Sequence, residues 1–195
     1  MRWFVGITIV LVLFMLLYLG SAASSLASLA QAASDADGTA ILQKTDMKAL
    51  RHSLTDQIVR VYLERIGAIR RISPLEKTLV NTYGATVADA MVAKMLTPDK
   101  LSQLLKNGKI EGAPELPSFA GMPPLAELHT DNWLSLLGRI NFINPVLLGI
   151  RISETSDPDS YAAINLHAEG LNWKLAGIEL PRKVARDLAA SLPLK

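Results

Sequence analysis

From Trp3 to Leu19 the chain carries no charged side chain, and after Arg2 the next Asp, Glu, Lys, Arg or His is Asp35. An apolar run of this length sits at the lower limit of what spans a bilayer as a helix. No second run in the chain approaches it, so everything downstream is expected on one side of that membrane. A buried core helix would carry a polar stripe, whereas this run offers only Thr8 and the backbone of Gly6. Trp3 and Phe4 at one end and Tyr18 at the other stand where amphipathic rings settle at the two headgroup levels. The competing reading is a signal peptide, for which Gly20-Ser21-Ala22-Ala23 supplies the small residues of a cleavage site. The uncharged, helix-compatible stretch beyond it favours a retained anchor over residues 1–23, with a single domain over residues 24–195. Arg2 and the terminal amine precede the run and Asp35 and Asp37 come after it, so the positive-inside rule puts the body outside the cytoplasm. The expected location is the inner membrane, single-pass, with the body in the periplasm; the alternative is a soluble periplasmic protein released by cleavage.

The net charge of +2 is spread along the chain and lacks the footprint of a nucleic-acid binder. With no cysteine, disulfides, thiol nucleophiles and cysteine metal sites are excluded.

Ser24 to Ser34 reads as a helix of small residues with Leu26, Leu29 and Ala33 at helical spacing, ending at Asp35-Ala36-Asp37-Gly38. A short helix over Thr39 to Gln43 comes next. Asp46 then caps a longer one, with Met47, Leu50, Leu54, Ile58 and Val61 as its apolar stripe. Lys48, Arg51, His52, Asp56, Arg60 and Glu64 make the opposite face, Asp56 and Arg60 being spaced as an i, i+4 pair. At Ser73-Pro74-Leu75-Glu76 a capping box coincides with proline at the first helical position. The helix opened there is expected to run to Met95 with Leu75, Leu79, Val87, Met91 and Met95 inward, weakened or bent around Gly84. Thr97-Pro98 repeats the device for a short helix that ends at Asn107-Gly108.

The segment 109–131 contains Pro114, Pro117, Pro123 and Pro124 and is expected to be a proline-rich loop, either a mobile linker or a lid. After Trp133 the apolar period becomes two. Ile140 with Phe142, then Leu148, Ile150 and Ile152, then Ala162, Ile164, Leu166 and Ala168 mark half-buried strands, with turns at Asp157-Pro158-Asp159 and Glu169-Gly170. In the closing strand Leu171, Trp173 and Leu175 are out of phase with Ile178 and Leu180, which calls for a bulge near Ala176-Gly177. Pro181 opens a final helix with Val184, Leu188 and Leu192 inward. The fold class is therefore α+β: a transmembrane helix, then helices packed on a C-terminal antiparallel meander of three to four strands. Cystatin-like and nuclear-transport-factor-like domains share that order by analogy.

Ala49-Leu50-Arg51-His52-Ser53-Leu54, Leu96-Thr97-Pro98-Asp99-Lys100-Leu101 and the closing Gly170-Leu171-Asn172-Trp173-Lys174-Leu175 with Ile178-Glu179-Leu180-Pro181 resemble a bacterial family known as domain of unknown function 2939. The resemblance implies a membrane-anchored α+β protein facing the envelope, and it carries no catalytic residues.

Motifs with chemistry are scarce. His167-Ala168-Glu169 has the form of a zinc-deaminase motif, but its cysteine partners do not exist here. His52 and His129 have no metal-binding spacing, and there is no phosphate-binding loop or nucleophile elbow. No metal, cofactor or catalytic residue is expected. Arg60, Arg65, Arg70 and Arg71 form the densest basic stretch, suited to anionic headgroups or an acidic envelope partner. Trp133 and Trp173 are candidates for a ligand cavity as well as for the core. The expected function is a non-catalytic tethered domain that binds an envelope partner or a small apolar ligand. The alternative is an envelope hydrolase or isomerase using Asp89 as a pocket carboxylate.

Overall fold

The computed structural model describes residues 2–110, 119–125, 138–154, 157–170 and 172–192. Its first element, α1, is one helix over Arg2–Ser34. Side chains from Trp3 to Leu17 are exposed all round, whereas Ala22, Leu26, Leu29, Ala30, Ala32 and Ala33 are buried in the protein core. Among the described residues this is the one helix long and apolar enough to cross a membrane, and none of its most apolar stretch is buried. The boundary expected at Ala23–Ser24 falls inside a helix that passes through it unbroken.

The chain then makes α2 over Gly38–Gln43 and α3 over Met47–Ile69. Their caps are Asp37 and Asp46, whose carboxylates accept from the backbone N–H groups of Ala40 and Ala49. Along α3, Leu50, Leu54 and Ile58 are buried as the stripe requires. Next come α4 over Pro74–Leu79, a π-helical turn over Val80–Gly84, and α5 over Ala85–Met95. Ser73 accepts from the Glu76 N–H at 3.2 Å, the predicted cap. The weakness expected around Gly84 is this π turn, and it overturns part of the inward set. A π turn takes up an extra residue and so rotates the helix on its N-terminal side relative to the helix on its C-terminal side. Leu75 is 71% exposed and Leu79 also faces out, while Ala88, Val92 and Met95 are buried.

Helix α6 spans Pro98–Asn107, capped by Thr97 and ended by Gly108 at φ +67°. Glycine is required at that end for two reasons: the left-handed backbone, and the Met122 carbonyl, into which a Cβ would run. The segment expected to be a loop is partly ordered. Lys109–Ile110 (β1) pairs antiparallel with Phe119–Ala120 (β2), and Ile110, Met122 and Leu125 are buried. Residues 111–118 and 126–137, with Leu116, Leu128, His129 and Trp133, lie outside the described residues, as does Leu171.

The sheet is an antiparallel meander of four strands in sequence order, β3 (Ile140–Asn144), β4 (Leu147–Arg151), β5 (Ala163–Glu169) and β6 (Asn172–Glu179). Asn165 pairs with Gly177 and Leu166 with Leu175, so Ala176 is the extra residue of the expected bulge, and Trp173, Leu175, Ile178 and Leu180 are all buried. The outer edge of β6 is covered by α3, which manages an edge that would otherwise recruit another strand. There the Asp46 N–H donates to the Leu175 carbonyl and the Leu180 N–H donates to Gln57 Oε1. Helix α7 over Arg182–Ala190 closes the core with Val184, Ala185, Leu188 and Ala189.

Candidate functional site: the anchor junction and the distal arm

Three features are candidates, and each is set by the direction in which α1, α3 and β6 run. At the junction where α1 enters the body, the Tyr18 hydroxyl donates to the Pro145 carbonyl at 2.6 Å. Its ring meets Trp173 edge-on with centroids 5.0 Å apart and lies 6.4 Å from Phe142. Trp173 Nε1 donates to Ser21 Oγ at 3.0 Å and the Trp173 backbone N–H to Ser25 Oγ at 3.2 Å. One helical turn further, Lys44 reaches Ser28, and the Lys44 carbonyl accepts from the Leu175 N–H. Trp173 is thus buried and hydrogen-bonded on the inner face of the last strand, and it is not among the residues lining the apolar cavity described below.

The second feature lies at the other end. Helix α3 and strand β6 run the same way, Asp46 beside Leu175 and Gln57 beside Leu180, so both lead away from the exposed half of α1. From Gln57 to Ile69 the helix continues for about 18 Å at 1.5 Å per residue. Arg60, Arg65, Arg70 and Arg71 are exposed on this arm, and with them Ile69, Leu75, Leu79 and Tyr83. The four arginines thus share this arm with exposed apolar side chains, of which Leu75 and Leu79 had been expected inward from periodicity. Arg70 is committed to Glu76, Nη1 to Oε2 at 2.8 Å, and ties the end of α3 to the start of α4. The Arg70 guanidinium holds the Glu76 carboxyl below the usual carboxylate range, helped by the Ser73 backbone N–H that completes the capping box.

Third, Asp89 on α5 lies 2.6 Å from Arg51 on α3, with its side chain 47% exposed. The expected Asp56–Arg60 spacing is used differently, with His52 Nε2 at 3.3 Å from Asp56. An apolar cavity of about 20 Å³ lies between α3, α5, α6 and α7, lined by Leu54, Ile58, Val92, Met95, Leu96, Leu104, Ile110, Leu180 and Leu188. That is the volume of about one water and far below the several hundred Å³ of a small-molecule site. Asp89 is not part of its wall.

One polar cluster was not singled out from sequence. Arg151, Ala163 and Glu179 are aligned across β4, β5 and β6, and Asn165 Nδ2 donates to Glu179 at 3.3 Å. Beside them burial pushes the Tyr161 phenol up, with Glu179 adding and Arg151 opposing. Register would have revealed it, since the period of two already put Arg151 and Asn165 on the outer face.

Residues 11–104, from the middle of the apolar run into α6, match the family described as protein of unknown function (DUF2939). That match covers 94 of the 195 residues, just under half of the chain. The match includes Ala49–Leu54 and Leu96–Leu101, while the DUF2939 resemblance noted around Gly170–Pro181 lies beyond it. No curated protein and no solved structure matches the chain.

Proposed function

We propose that this chain is a single-pass membrane protein whose body stands in the periplasm and acts as a non-catalytic docking domain for an acidic envelope protein. The observation that carries the tether is the continuity of α1. The helix that is bare from Trp3 to Leu17 is bonded into the sheet from Tyr18 onward. Cleavage at Ala22-Ala23 would remove Tyr18 and Ser21 and leave the Trp173 indole N–H without its acceptor. The DUF2939 match supports retention too, because it begins within the apolar run. The distal arm supports a protein partner over headgroups, since its arginines stand at the end of the body away from the bare helix. The enzymatic alternative would need Arg51 to release Asp89 before that carboxylate could act as a base.

A reporter fused after Lys195 tests the topology. It should be active when it is an enzyme that matures only outside the cytoplasm and inactive when it is a protein that folds only inside. The reverse pattern would overturn the proposal.

A further inference from the structure

We infer that the tip of the β3–β4 hairpin, Phe142, Ile143, Pro145 and Val146, is a second membrane contact, seated in the outer-leaflet interface beside α1. The inference rests on the tether proposed above.

Length is the first argument. From Trp3 to Tyr18 the helix rises about 22 Å at 1.5 Å per residue, whereas the hydrocarbon core is about 30 Å thick. With Trp3 at the inner interface, the point where Tyr18 bonds Pro145 lies short of the outer boundary, and tilting the helix deepens the shortfall. The lipid must therefore reach whatever surrounds Tyr18, and the hairpin tip surrounds it.

Composition is the second. From Ile140 to Ile150 the chain carries no charge, and Arg139 and Arg151 flank that stretch at the base of the hairpin. Phe142 is 56% exposed, Ile143 44% and Val146 49%, an uncommon cost for a turn bathed in water.

The third is the backbone, since polar groups that enter lipid must be satisfied internally. Proline has no N–H to leave unpaired, and the Pro145 carbonyl takes the Tyr18 hydroxyl. The Val146 N–H is capped by Asn144 Oδ1 at 2.9 Å, and its carbonyl accepts from Ala168 N–H. The neighbouring β5–β6 turn limits the depth. Glu169, paired with Lys174 at 2.5 Å, belongs at headgroup level, so the tip enters the interface and stops short of the bilayer centre.

The absence of cysteine makes the test clean. Single variants Ile143→Cys, Val146→Cys, Leu13→Cys and Tyr83→Cys in the full chain would each carry an environment-sensitive fluorophore. The reconstitution uses vesicles of phosphatidylethanolamine and phosphatidylglycerol, with phosphatidylcholine spin-labelled at shallow or deep acyl positions. The labels at 143 and 146 should shift to the blue and be quenched by the shallow spin label, the label at 13 by the deep one, and the label at 83 by neither. Water-like emission at 143 and 146 with a quenched label at 13 would overturn the hairpin contact and leave the tether standing. Water-like emission at 13 as well would overturn the tether itself.

Discussion

Helix α1 has two halves of nearly equal length and opposite surroundings. Trp3 to Leu17 is bare on every side; Tyr18 to Ser34 packs on β6, α2 and α6 with Leu26 and Leu29 almost fully buried. Both halves are uncharged, so charge does not separate them. Side-chain size does. The bare half is rich in Ile, Val, Leu, Phe and Met, the side chains that the proposed tether would place in lipid; the packed half is rich in Ala and Ser, which let a helix approach a sheet closely and leave hydroxyls for Trp173. An exposed apolar helix and a core helix are here the same helix, and the change of surroundings occurs at Tyr18.

The largest expected effect comes from the residue that joins the halves to the sheet. Trp173→Ala should cost about 3–5 kcal/mol in a denaturant melt in detergent micelles, while His167→Ala on the opposite face of the sheet should stay within about 0.5 kcal/mol. Equal losses would break the inner and outer assignment of the sheet.

A direct contrast within α1 comes next. Leu26→Ala or Leu29→Ala should lower body stability by about 2–5 kcal/mol. Leu11→Ala or Leu13→Ala should leave that melt within about 0.5 kcal/mol, because neither touches the body. If the bare-half variants destabilised the body as much, α1 would fold back onto it and the comparison would fail.

Ser21→Ala isolates the hydrogen bond at the boundary. It leaves the Trp173 indole N–H buried without an acceptor, and a loss of about 1–3 kcal/mol is expected. No measurable loss would show that water or another group replaces Ser21.

Much of this was legible in the chain because it is local. Asp46, Ser73 and Thr97 cap where caps were expected, Gly108 ends α6 in the left-handed region, and the phase slip in the closing strand located the bulge at Ala176. Local signals failed where an extra residue or a distant partner decided. The π turn at Val80–Gly84 rotated Leu75 and Leu79 outward, and the proline-rich segment still found a two-residue pairing held by Gly108 and Met122. Tyr18 and Ser21 gave no hint of Trp173, because the indole N–H that bonds Ser21 lies 152 residues along the chain. The arginines were visible as a cluster, but their place at the distal end is set by the parallel run of α3 and β6.

The smallest effect belongs to the distal arm. The Glu76 carboxyl is held below its usual range in the folded protein, so what the Arg70 contact contributes is complete above the ordinary carboxylate range. It is lost as pH falls through the lowered value. Amide exchange at the α3–α4 connection should therefore quicken on acidification below the ordinary range, and in Arg70→Ala it should be fast at neutral pH already. Unchanged exchange in that variant would mean that the arm is held by other contacts.

The central claim is that α1 is retained whole, with its bare half in lipid and its packed half in the core. Intact mass of the protein recovered from alkali-washed membranes tests it most directly. The account predicts a single membrane-bound species that includes Trp3 to Leu19. A soluble species beginning near Ala23 or Ser24, folded and as stable as the membrane-bound form, would contradict it.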